Sequence, residues 1–231
     1  MKSQYLYFII NLLCLFLPMI ASFYSKAPFY KQWREIGVAI LLPAIFFLAW
    51  DEVFTRLGIW GFNSQYTIGW SLGMLPIEEV LFFLCIPYAC LFTYFTFKHL
   101  IERKNIFPYY ELLSYALIFF LLVAGTYNMD RAYTAVTFLL LSFYLSYLTL
   151  KARVRYLGYF YILFAIILIP FLLLNGILTG SFIESEVVWY NDEAIMGIRL
   201  GTIPLEDVFY ALFLILVNVS VYEWMTKLRT K

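Results

Sequence analysis

The chain has 231 residues, of which 64% are hydrophobic, 22% aromatic and only 13% charged. A mean hydropathy of +0.82 excludes an ordinary soluble domain. The formal net charge of +1 and a pI near 7.6 argue against nucleic acid or a strongly acidic partner.

A helix needs about 20 apolar residues to cross a hydrocarbon core. Seven segments meet or approach that length: 5–24, 36–52, 76–97, 112–129, 132–150, 156–175 and 204–224. The first is too long for a signal peptide and ends without a small-residue cleavage site, so a span is expected. The second is short and contains Pro43, so tilt or local bilayer thinning is expected there. The reading is an all-α integral membrane protein of seven transmembrane helices, with no soluble domain left over. Cys14, Cys85 and Cys90 lie in apolar segments without CxxC spacing, which suits neither a disulfide framework nor a thiolate metal site. His99 is the only histidine and, flanked by Lys98 and Glu102, reads as a membrane-edge residue. No metal centre is expected.

Lys and Arg distribution sets topology. Lys26, Lys31, Arg34, Lys98, Arg103, Lys104, Lys151, Arg153, Arg155, Lys227, Arg229 and Lys231 fall on one side, twelve of the sixteen. Lys2, Arg56, Arg131 and Arg199 fall on the other. That split predicts an external N-terminus and a cytoplasmic C-terminus.

The chain also repeats itself. Pro76-Ile77-Glu78-Glu79 recurs 128 residues later as Pro204-Leu205-Glu206-Asp207. Ile59-Trp60-Gly61-Phe62-Asn63 is echoed by Val188-Trp189-Tyr190-Asn191, and Gly73-Met74-Leu75-Pro76 by Gly201-Thr202-Ile203-Pro204. The predicted organisation is a first three-span repeat over 1–97, a linking span over 98–131 and a second repeat over 132–231. One intervening crossing gives both repeats the same direction, so they are parallel about an axis along the membrane normal. The two acid pairs would then face each other across a central cleft near the non-cytoplasmic face.

Proline followed by a carboxylate is a good helix start, because the ring needs no N–H partner and the charge meets the positive end of the dipole. A helix start needs one acid, yet each repeat carries two, and Asp51-Glu52 adds a third pair without a counterpart at Thr179-Gly180. A charged side chain in a span costs about 2.5–3.5 kcal/mol on insertion scales and marks a functional interior. Arg131 and Arg199 are placed to pair with these acids. Trp50, Trp60, Phe62, Trp70, Trp189 and Tyr190 gather on the same side. They suit an interfacial aromatic belt, or ring faces that stabilise a cation beside a proton donor.

At these positions the chain resembles the membrane-integral carotenoid cyclases, which occur as two small subunits, as a fused chain in bacteria and archaea, and as part of a fungal bifunctional enzyme. The resemblance rests on Trp50-Asp51, Trp60-Gly61-Phe62, Pro76-Ile77-Glu78-Glu79 and Pro204-Leu205-Glu206-Asp207, and with two repeats the chain is similar to the fused form. It implies a lycopene beta-cyclase in a bacterial or archaeal cell membrane, forming β-carotene through γ-carotene by protonation, ring closure and proton loss. It implies lycopene and the lipid bilayer as partners, other carotenoid enzymes as candidate neighbours and no nucleic acid. Glu78, Glu79, Glu206 and Asp207 would supply acid and proton acceptor, with Glu78 and Glu206 favoured for their shared motif position and Asp51 orienting or relaying. No flavin or nucleotide cofactor is expected, since no G-x-G-x-x-G follows a strand. A C50 or other carotenoid end-group cyclase, a membrane polyprenyl transferase and a transporter are the competing readings. A retinal photoreceptor is disfavoured, because no confident span interior holds a lysine.

Overall fold

The structure is a computed structural model and describes residues 4–101 and 107–229. Lys2, Arg103, Lys104 and Lys231 of the charge count, and Glu102 beside them, lie outside the described residues.

Seven α-helices form among the described residues: α1 Leu6–Ala21, α2 Trp33–Arg56, α3 Ile77–Ile101, α4 Tyr110–Tyr127, α5 Ala132–Ser146, α6 Leu157–Leu178 and α7 Leu205–Arg229. Six are long and apolar enough to cross a membrane, and α1, with 16 residues, is the shorter apolar helix. The expected short second span is corrected: α2 has 24 residues and runs on through Pro43. Charged residues hid its ends, and they are neutralised locally. Glu52 pairs with Arg56 one turn on, at 2.6 Å, and Glu35 meets Arg229 of α7 at 3.5 Å.

Three short antiparallel pairs join the helices. β1 Trp60–Phe62 follows α2 and β4 Val188–Tyr190 follows α6, and they pair with each other, Gly61 opposite Trp189. β2 Ser71–Leu72 turns into β3 Leu75–Pro76, and β5 Arg199–Leu200 into β6 Ile203–Pro204. Each turn opens on a glycine with φ of 65°, Gly73 or Gly201, a left-handed conformation that a side chain would strain. The hairpins end on Pro76 and Pro204, directly ahead of α3 and α7.

Equivalent residues of the two halves differ by 128 throughout this region. The Asn63 N–H donates to Val187 O and the Asn191 N–H to Ile59 O, both at 2.8 Å. The Ile77 N–H reaches Trp70 O and the Leu205 N–H reaches Ile198 O, both at 2.9 Å. Helix packing has the same two-fold form. α1 packs on α3 as α5 packs on α7, α2 lies against α3 and α7 as α6 does, and α3 touches α7 at the centre. Because β1 and β4 pair, α3 and α7 start at the same end of the bundle, so the repeats are parallel. α4 stands outside this frame, against α5 and α6.

Phe47, Phe83, Phe138, Leu141 and Leu216 belong to a continuous core, while Leu13, Phe16, Phe119 and Ile169 are exposed. A sheath of large apolar side chains outside a packed centre is the pattern that lipid requires.

Candidate active site

Successive residues on a helix point about 100° apart, so the two acids of each motif must have different surroundings. Glu78 and Glu206 are fully buried and hold the loops before their helices. Glu78 Oε1 accepts the Ile68 N–H at 2.6 Å, and Glu206 Oε1 accepts the Met196 N–H at 2.7 Å, each ten residues upstream. Thr134 Oγ1 also donates to Glu206 Oε1, at 2.5 Å, and Asn11 Nδ2 donates to the Glu78 carbonyl at 2.8 Å.

Glu79 and Asp207 instead line one cavity of about 380 Å³ together with Asp51. Its walls come mainly from α1, α3, α6 and α7, with Asp51 of α2 and Tyr133 of α5 at the acid end, and its roof from β1 and β4. Asp207 is held by three donors: the Tyr133 hydroxyl at 2.7 Å, Asn175 Nδ2 at 2.8 Å and the Tyr190 hydroxyl at 2.9 Å. Glu79 Oε2 accepts the Tyr7 hydroxyl. Asp51 Oδ1 accepts Trp60 Nε1 at 2.5 Å, while Asp51 Oδ2 is buried without a partner among the described residues. Glu79 stands within electrostatic reach of both Asp51 and Asp207. Tyr190, in the loop region outside the spans, senses all three carboxyls. Burial first, and then the charge of Asp207, keep its phenol well above the usual range and therefore in the O–H form.

Of the aromatics singled out in the sequence, Trp60, Phe62 and Tyr190 line the cavity. The Trp60 ring lies 4.9 Å from Tyr133, and 6.3 Å from both Tyr190 and Tyr210. Trp50 packs away from the cavity against Phe47, Phe54 and Tyr210. Trp70 is 75% exposed, and Trp189 lies over Gly61. Neither lines the cavity, and both fit the interfacial reading better than contact with a substrate.

Sequence reasoning missed Tyr7, Tyr133, Tyr210 and Asn175, all of them in the wall. Asn175 carried a signal, a lone amide inside Leu172-Leu173-Leu174-Asn175 of an apolar span. Tyr7 and Tyr133 are the second residues of α1 and α5, a correspondence that shows only once the helix starts are known. The expected pairing of Arg131 and Arg199 with the acid motifs does not form. Arg131 donates to the carbonyls of Asp192 and Ile195 at 3.0 and 2.5 Å, and Arg199 pairs with Asp192 at 2.9 Å. Among the described residues no Lys, Arg or His lines the cavity, so it offers no counter-charge to a diphosphate.

The cavity opens toward the lipid side. Its wall includes Leu13 and Leu17 of α1, 62% and 70% exposed, and the exposed Pro170 of α6. At the loop end it is closed where Tyr7, Ile10, Tyr66, Leu178 and Val187 pack together. An apolar ligand can therefore enter from the bilayer, while water is kept from the carboxyls.

A family profile described as lycopene cyclase matches residues 4–97 and 130–225. A bifunctional lycopene cyclase/phytoene synthase of Aspergillus oryzae is 28% identical over 79 residues, which span 34% of this chain and 13% of that protein. No solved structure matches the chain.

Proposed function

The chain belongs to the lycopene cyclase family, and from that premise we propose that it closes the open ψ-ends of lycopene into β-rings by proton-initiated isomerisation. The observation that carries this reading is the placement of three carboxyls, Asp51, Glu79 and Asp207, in one aromatic-walled cavity that opens to lipid. The acid end would face the non-cytoplasmic side, as the distribution of basic residues argues.

The geometry favours Glu79 with Asp51 as the proton source. Two carboxyls lining one buried cavity, one of them with a bare buried oxygen, readily share a single proton. Asp207, held by three donors, suits the acceptor. A proton from Glu79 adds to the terminal double bond and leaves a tertiary cation. The neighbouring double bond closes on it, forming the ring C–C bond, and Asp207 removes a ring proton to restore the alkene. Atoms and electrons balance, so no step calls for a redox cofactor. The faces of Trp60, Tyr133 and Tyr210 lower the energy of the cation, and the closed roof keeps out water that would trap it.

On this reading Glu78 and Glu206 position the loops and do not move protons, which reverses the preference drawn from motif position. The test is the pigment profile of a lycopene-accumulating bacterium expressing the chain and its Glu79→Gln and Asp207→Asn variants. β-Carotene with the intact chain and retained lycopene with both variants are expected. Unchanged β-carotene in either variant overturns the assignment of that residue, and unchanged lycopene with a well-expressed intact chain overturns the reaction.

A further inference from the structure

The frame is two-fold, but its cavity is not. Exchange of the halves maps the space between α1, α3, α6 and α7 onto a second space between α5, α7, α2 and α3, and aromatic side chains of α2 stand in that second space. Phe47 of α2 is fully buried there, 5.5 Å from Tyr210, 5.3 Å from Phe213 and 6.3 Å from Phe83, and Trp50 lies 5.1 Å from Tyr210. By the 128-residue offset of the repeat, the places of Phe47 and Trp50 are taken in α6 by Asn175 and Leu178. Both line the open cavity. Aromatic rings on α2 thus occupy in one half the volume that smaller side chains on α6 leave free in the other.

The open cavity is also too short for a whole carotenoid. Along α3 it runs from Glu79 to Thr93, about 21 Å at the helical rise. An extended forty-carbon polyene is about as long as a hydrocarbon core is thick, about 30 Å. The volume of about 380 Å³ stands toward the low end for drug-sized ligands. All three carboxyls lie at the closed end, and Leu17 and Thr93 mark the other.

Resting on the proposed reaction, we infer that the protein has a single one-ended catalytic cavity that accepts one half of the substrate while the other half stays in the bilayer. The second end then has no acid site of its own. The singly cyclised product must leave, turn end for end in the membrane and bind again before the second ring closes.

The test uses the full chain reconstituted in lipid vesicles with an excess of ¹³C-labelled lycopene, its products followed by mass spectrometry. Labelled γ-carotene is expected to exceed the enzyme severalfold before β-carotene accumulates. Unlabelled γ-carotene added in tenfold excess over the labelled intermediate should enter β-carotene and cut its label about tenfold. A process that stops at γ-carotene also supports the inference. Labelled β-carotene formed in the first turnovers and undiluted by the added γ-carotene overturns it while leaving the proposed reaction standing. Absence of any cyclised product overturns the reaction itself, and the inference with it.

Discussion

Gly61 and Trp189 face each other at the centre of the β1–β4 pair, and the indole of Trp189 occupies the space above Gly61: a Cβ built there would clash with Cζ2. The two residues are also equivalents in the repeat, 128 positions apart. A large side chain fits at this position in one half because the other half has none.

Gly61→Ala should therefore force the indole out and loosen the roof. A loss of about 1–3 kcal/mol is expected, as for other overpacked sites, read as a lower thermal midpoint in detergent. The double variant Gly61→Ala with Trp189→Ala should recover part of that loss. Equal and additive losses in the two single variants would show that the contact is not the cause.

The acid motifs divide into one loop anchor and one cavity acid each. Glu78→Gln keeps an oxygen to accept the Ile68 N–H, so most of the cyclisation rate should survive. Glu78→Ala leaves that N–H without its partner and should destabilise the protein by about 1–3 kcal/mol. Glu79→Gln should fold normally and form no ring. A Glu78→Gln variant as inactive as Glu79→Gln, at equal expression, would return Glu78 to the chemistry.

Three donors on Asp207 imply graded effects. Tyr133→Phe and Tyr190→Phe each remove one hydrogen bond to a charged group, about 1.5–3 kcal/mol, and should slow cyclisation by about tenfold to a hundredfold. Asn175→Leu should behave alike. Initial rates in vesicles at saturating lycopene measure this. Wild-type rates in all three variants would show that the network does not set the acceptor.

Tyr190 gives a prediction in alkali. Its folded-state phenol is raised above the ordinary value of 10.0, chiefly by burial, so the unfolded chain releases this proton first as pH climbs. The associated stability is complete below about pH 10 and declines above it, toward the folded-state value. Thermal stability measured from pH 8 to pH 11 should fall less steeply for Tyr190→Phe than for the parent chain. Identical slopes would place the phenol in contact with solvent.

Much of the architecture was legible in the sequence. Seven apolar runs and two copies of Pro-apolar-acid-acid are local patterns, and the bilayer leaves few ways to satisfy them: each run becomes a helix, because lipid offers no partner for a free backbone group. The ends of α2 were misread because hydropathy counts Glu35, Glu52 and Arg56 as polar whatever they touch, and their ion pairs come from neighbouring turns and from α7. The candidate site was half legible. That carboxyls and aromatic rings gather at one end follows from the motifs themselves. Which member of each acid pair faces the cavity depends on the phase with which α3 and α7 leave their hairpins. That phase is fixed by contacts outside the helix itself, Glu78 with Ile68 and Glu206 with Met196 in the preceding loops and with Thr134 of α5. The inequality of the two halves was likewise beyond a one-dimensional reading. Phe47 and Trp50 on α2, against Asn175 and Leu178 on α6, become a ring-filled and an open volume only once the helices are packed together. The sequence by itself determined the membrane, the helices and the repeat, because these follow from local pattern and solvent. Tertiary structure alone decided which carboxyls meet, because the direction of a side chain is settled by its packing partners.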